Sequence, residues 1–362
     1  MIGLLLHYHL NKLTIFEKKI SWHGNYPRKA ANIIHPKTYV QIFSQFLFCR
    51  SKNMGKDECS LFHCTEKEKA EIRKEVGVTE AAINDGVDAI FEWFNKQPHL
   101  AEAGLTRVHA EMMIIISKGS IERAKEKIDN LYKYRALMPE ILQTRKELLC
   151  SPEKIWDTYT ALPMQKLYEN RRIFFLFIKD STDLNNLELY RRTLMLIDLR
   201  MKYDYMRGDI WILDLSNVSL MQVMTQNLMI YKKIALFFMK GLNWRIHAVH
   251  CINNSAPVGL VQRLIDFVGS FISPLILSRI IIHDSIEDLY KHVPKDCLPE
   301  NYGGKEPHTD ILRERMENEM RRPEITKYLM DCTKMVSNES LRPRDDHSEE
   351  YLSGSFKKLE FD

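Results

Sequence analysis

The sequence predicts an α/β layer fold preceded by a small all-helical unit. Three observations carry that expectation. From Thr65 to Leu137, apolar side chains recur at helical spacing. After Pro152 come short apolar runs of strand length, Ile173–Ile178, Ile210–Leu215, Ile246–Ile252 and Ile280–His283. Helical stretches separate them, at Asn186–Met206, Ser219–Lys240 and Val258–Phe271. The first two runs read as strands covered on both faces, as in parallel sheets, and strands alternating with helices imply crossover connections.

Residues 1–56 differ from the rest of the chain. Nine basic residues stand there against one acidic, Glu17, and no period runs through them. A basic membrane-surface tail, an unrelated extension and a start at Met54 all fit; the last two are favoured, and poor order is expected across 1–64. Thr65 followed by Glu68 is a capping-box pattern. Ile83, Val87, Ile90, Phe91 and Phe94 carry the next helix to its break at Pro98, and further helices are expected over Val108–Ser117 and Ser120–Leu137. These make a helical unit at 65–150, an α/β unit at 151–306 and a helical or flexible tail at 307–362.

The helix VGLVQRLIDFVGSF is unusual, because only Gln262, Arg263 and Asp266 are plainly polar. A surface helix carries about one apolar stripe. This one is either fully buried or faces apolar matter on two sides. Further on, LPENYGG (Leu298–Gly304) ends the α/β half in a turn: Pro299 fixes its own φ, and Gly303 and Gly304 tolerate positive φ.

Composition narrows the function. The chain has 362 residues, 45% hydrophobic and 28% charged, with a net charge of +4. That suits a globular protein and gives no reason to expect a nucleic-acid partner. Seven scattered cysteines suit a reducing compartment, and no apolar stretch is long enough to span a bilayer, so a cytoplasmic location is expected. Cys59, His63 and Cys64 lie close together, but no second cluster has zinc-site spacing, and no metal or cofactor is expected. No phosphate loop, GxSxG elbow or HExxH appears. Asp214 at a strand end reads as structural. His247 and His250 point to opposite faces of their strand, and His283 reads as a structural histidine. An enzyme is not expected. Seven methionines of the α/β half, Met221 and Met224 among them, suit an adaptable apolar interior.

The order IWILDLSNVS, helix, WRIHAVHCIN, apolar helix, SRIIIHDSIEDLYKHVPKDCLPENYGG resembles the CRAL-TRIO lipid-binding domain. FNKQPHL and SIERAKEKIDNLYKYRALMPEI resemble the helical domain that precedes it in the tocopherol-transfer and retinaldehyde-binding branch, in the style of its insect members. The similarity covers about 80–310. It implies a CRAL-TRIO fold, with a sheet floor and helical walls around a pocket for one hydrophobic molecule. It also implies a mobile gate helix at about Val258–Phe271 that can enter a membrane surface. Val258, Val261, Leu264, Ile265, Val268 and Phe271 would form the gate, with Ile212, Met221 and Met224 in the pocket. The protein would bind a tocopherol, retinoid or other lipid and pass it between membranes, associating with them transiently. Some members of the family also sense phosphoinositides. Arg135 and Arg279 match two of the basic positions they use, while Leu275, His247 and Glu126 stand where others are basic; Arg245, Lys125 and Lys127 could compensate. MMIIISKG replaces a usually Arg-rich segment. The alternative is a module that has lost its cargo and binds a protein partner.

Overall fold

A computed structural model describes residues 58–150, 156, 159–179, 185–252, 260–269 and 272–343. The chain divides into two units, Met1–Gly55 and Lys56–Asp362, and every described residue belongs to the second.

Four helices come first: α1 (Glu66–Val76), α2 (Glu80–Asn95), α3 (Arg107–Ile116) and α4 (Ile121–Leu137). Thr65 and Glu68 form the expected capping box, each side chain accepting from the other's backbone N–H. The side chains of Thr79, Thr106 and Ser120 cap the other three, each accepting from a backbone N–H in the first turn. The MMIIISKG segment is apolar because Met112 to Ile116 of α3 are all buried. A short helix, α5 (Arg145–Cys150), leads to the sheet.

The sheet has five strands in sequence order: β1 (Tyr159–Tyr168), β2 (Arg171–Ile178), β3 (Asp209–Asp214), β4 (Ile246–Ile252) and β5 (Ile280–Ile282). β1 and β2 pair antiparallel; the other pairings are parallel, as the apolar runs predict. β1 has no counterpart among the predicted strands. Pro163 and the polar Gln165–Lys166 interrupt its pattern, and proline is tolerated there because β1 is an edge strand with a register irregularity after Pro163.

Between the strands run α6 (Asn186–Tyr203), α7 (Leu220–Thr225) and α8 (Leu228–Leu236), with a π-helical turn at Phe237–Leu242, then α9 (Leu260–Gly269) and α10 (Pro274–Leu277). The single helix expected over Ser219–Lys240 is broken at Gln226–Asn227. The Asn227 side chain accepts from Met229 N–H and starts a new helix. Leu194, Ile197 and Met201 of α6 share one core with α2, α3 and α4, so the helical unit is continuous in packing with the α/β half.

The last helices among the described residues are α11 (Ile286–Leu289), α12 (Thr309–Met320) and α13 (Pro323–Asp331). Within the expected tail, Met316, Met320, Ile325 and Leu329 are completely buried. The described chain begins inside the expected extension, and there the expectation of poor order gives way to packing: Cys59, Leu61 and Phe62 are buried. Ser60 donates from both N–H and Oγ to Glu319, and Gln165 Nε2 of β1 donates to Ser60 O. Residues 1–57 lie outside the described residues.

LPENYGG folds back on itself. Gly304 N–H donates to Pro299 O at 3.0 Å and Glu306 N–H to Leu298 O at 2.9 Å. Gly303 sits at φ 74°, the left-handed region that favours glycine. Gly304 is required for a different reason: a Cβ there would stand 1.9 Å from Leu298 O and 2.6 Å from Lys295 O. Gly304→Ala therefore pushes backbone against backbone, and a loss of about 1–3 kcal/mol or more in denaturant unfolding is expected.

Candidate lipid-binding face and basic cleft

Alternation along the strands sorts the sheet into two faces. On one, Phe174, Trp211, Val249 and Ile280 stand side by side, followed by a second row of Leu176, Leu213, Cys251 and Ile282. All eight are nonpolar. Phe174, Val249 and Cys251 are buried, Leu176, Trp211, Leu213 and Ile280 half-buried, and Ile282 is 37% exposed. Among the described residues the space above this face holds about 70 Å³, bounded by Phe174, Leu176, Trp211, Phe238, Trp244 and Ile276.

The opposite face carries Phe175, Ile212, His250 and Ile281. The C-terminal segment closes it. The Tyr302 ring lies 4.3 Å from that of Phe175, and its hydroxyl donates to Asp214. Burial and the Asp214 carboxylate raise the Tyr302 phenol above its usual range. Asp214 also accepts from Ser216 N–H, the structural role its position suggests.

The expected pocket residues separate on this frame. Ile212 is fully buried on the closed face and does not look onto the open one, because it stands one residue out of phase with Trp211 and Leu213. Met221 is 71% and Met224 54% exposed, while Val223 of the short α7 is buried. The helix expected over Val258–Phe271 is α9, which packs against α7 and α10. Gln262, Arg263 and Asp266 are exposed, and Ile265 is half-buried. Val258, Phe271 and the side chains of Val261, Leu264 and Val268 lie outside the described residues.

An open cleft of about 760 Å³ adjoins this region. The end of α3, the start of α4, the π-turn, α10 and Arg279 enclose it. Lys118, Arg123, Lys127, Lys240, Arg245 and Arg279 line it against one acid, Glu126. Lys127 donates to Asn243 O, and burial lowers its ammonium to about 8. Arg245 Nη1 is buried without a hydrogen-bond partner, and Arg279 Nη1 donates to Ile246 O. Of the three arginines expected to bind phosphoinositide, Arg245 and Arg279 meet here.

Arg135 does not reach the cleft. It is 1% exposed, ion-paired to Asp198 and hydrogen-bonded to Cys332 O. Lys125 is engaged with Glu122. Nothing in the sequence marks Lys118, Arg123 and Lys240 as cleft residues, because they stand on three separate elements. Of the residues considered as metal ligands, Cys59 is buried, and burial pushes its thiol to about 12. Among the described residues no group of three or more His, Cys, Asp or Glu side chains is arranged to hold a metal ion, and no helix is long and apolar enough to cross a membrane.

Residues 168–304 match the family model described as CRAL/TRIO domain. No curated protein matches the chain. Among solved structures it is similar to the one described as "Crystal structure of Sfh5", with 10% identity over 69% of this chain and 92% of that one and a TM-score of 0.39. The matched segment runs from the end of β1 through β5 and takes in α6 to α11 and the LPENYGG turn.

Proposed function

We propose that the protein binds a small hydrophobic ligand, a tocopherol, a retinoid or another lipid, over the open face of its sheet and passes it between membranes. The observation that carries this reading is the pair of apolar rows from Phe174 to Ile280 and from Leu176 to Ile282, left partly uncovered in the middle of the fold. Burial of apolar ligand surface at roughly 25 cal/mol per Å² supplies affinity without covalent chemistry. α9 acts as the gate. Met221, Met224 and Leu275, all exposed, give the surrounding surface an apolar edge suited to a bilayer. The basic cleft beside it takes a phosphoinositide head group. Several cations converge there, and the unpaired Nη1 of Arg245 offers a donor to phosphate.

One observation favours the cargo-less alternative. Phe174, Trp211, Phe238 and Trp244 narrow the space above the sheet to about 70 Å³, too little for a lipid unless α9 and α10 move. Solvent extraction of the purified protein, mass spectrometry of what it held, and transfer of labelled lipid between vesicles separate the two. Bound lipid with transfer supports the carrier; neither would leave the scaffold reading. Adding a phosphoinositide to phosphatidylcholine vesicles is expected to tighten binding, and Arg245→Glu to undo that gain by roughly tenfold, since each basic residue near an anionic surface is worth about 1 kcal/mol.

A further inference from the structure

The chain between β4 and β5 carries α9 and α10, so β4 and β5 are the two feet of the gate. The second foot is slight. β5 has three residues and, among the described residues, lies at the sheet edge and pairs only with β4. Two backbone bonds extend the pairing, Val249 N–H to Arg279 O at 3.0 Å and His283 N–H to Cys251 O at 2.9 Å.

A histidine cluster sits across this junction. His250 Nδ1 of β4 lies 2.9 Å from His283 Nε2, just past β5, and both residues are 3% exposed. The exposed His292 completes a triangle with ring centroids 5.1, 5.3 and 5.5 Å apart. One nitrogen of the 2.9 Å pair donates and the other accepts. Two added protons leave two N–H groups facing each other with like charges in a buried site.

We propose that His250, His283 and His292 form an acid-released latch on the β4–β5 edge, which frees the second foot of the gate when the surroundings are acidified. Its consequence for ligand release rests on the carrier reading above; the latch itself does not.

Burial, reinforced by His283, His292 and His247, lowers the His250 imidazole to about 4. Burial and His292 also lower His283, while Asp288 and Asp284 pull it back up. Asp288 of α11 accepts from Ser285 Oγ, at the helix start, and from Lys291 Nζ, just past its end. Tyr168 at the end of β1, Glu169 in the turn after it, and Arg279 before β5 line the adjoining cleft with His247, His250 and His292. An open edge returns His250 and His283 to the ordinary range near 6.5. The closed edge then keeps its full stability above about pH 6.5 and loses it as pH falls towards 4, where the open state binds more protons. For His250 alone, each pH unit within that window multiplies the open-to-closed ratio by up to about tenfold. An anionic membrane surface at about −30 mV lowers the local pH by roughly half a unit, in the direction that opens the latch.

The test is hydrogen exchange of the ligand-free protein between about pH 7 and about pH 5, corrected for intrinsic rates and read on peptides covering 278–283. Protection there is expected to fall at least tenfold in the wild type. It should stay nearly flat in His250→Asn/His283→Gln, whose amides can still pair but do not titrate. Equal pH dependence in the two overturns the latch. If the double variant does not fold, His292→Gln carries the test: removing the neighbouring ring that lowers both buried imidazoles shifts the opening midpoint to lower pH, and an unmoved midpoint overturns the proposal. Loss of bound lipid from vesicle-loaded protein over the same range reports separately on the carrier reading.

Discussion

Asp204→Ala is expected to lower the unfolding free energy by about 3–5 kcal/mol, because it leaves buried charge without its partner. Asp204 closes α6 and is completely buried as a side chain. Arg172 Nη2 reaches it at 2.6 Å and Arg200 Nε at 3.0 Å, and its Oδ1 accepts from Tyr205 N–H. Without it, fully buried Arg172 is left with the carbonyls of Met164, Gln165 and His63 and the Phe62 ring at 5.6 Å, none of them a countercharge. Arg200 retains Asp209 and its place between the rings of Phe174 and Trp244, at 4.5 and 4.7 Å.

Burial alone would raise the Asp204 carboxyl, but Arg172 and Arg200 hold it below the usual carboxylate range. Its contribution is therefore present above about pH 4 and is lost as pH falls below that. Chemical denaturation at neutral pH measures the effect. A cost under about 1 kcal/mol would mean that water or a relaxed neighbour replaces the carboxylate. Replacing Arg172 and Asp204 together by apolar residues of similar volume should recover most of the loss.

Leu213→Arg is expected to reduce lipid loading about ten- to a hundredfold. It places a charge in the middle of the second apolar row, between Leu176 and Cys251. The side chain is half-buried, so the guanidinium can reach towards solvent and the fold survives, while the ligand loses roughly 1.5–3 kcal/mol of apolar contact. Equilibrium binding of a fluorescent lipid, with circular dichroism to check the fold, measures it. Leu341→Arg, at a position already 52% exposed, should leave loading unchanged. Undiminished loading in Leu213→Arg would place the ligand elsewhere.

Local physics explains why so much of the fold is legible. Thr65, Thr79, Thr106 and Ser120 satisfy orphan N–H groups within a turn, so the helix starts are written in adjacent residues. Strands β2 and β3 carry nonpolar side chains on both faces of the sheet and so read as apolar runs. α9 stands where its wide apolar arc put it, with its three polar residues exposed. β1 escapes because an edge strand can carry proline and polar residues that a central one cannot.

The function-bearing arrangements depend on partners far along the chain. Arg135 looks like any cation on a helix until Asp198, sixty-three residues on, takes it into the core. Lys118, Lys127, Arg245 and Arg279 become one cleft only when α3, α4, the π-turn and α10 meet. His250 and His283 are thirty-three residues apart, and only the parallel register of β4 and β5 joins them. By itself the sequence determined the order of β2 to β5, the caps of the first helices, the near-apolar helix α9 and the closing turn, since each is set by neighbours within a few residues. The tertiary structure alone decided which face of the sheet lies open, which cations can reach a ligand and which are sealed in ion pairs. Those outcomes follow from long-range packing and desolvation, and no local period encodes them.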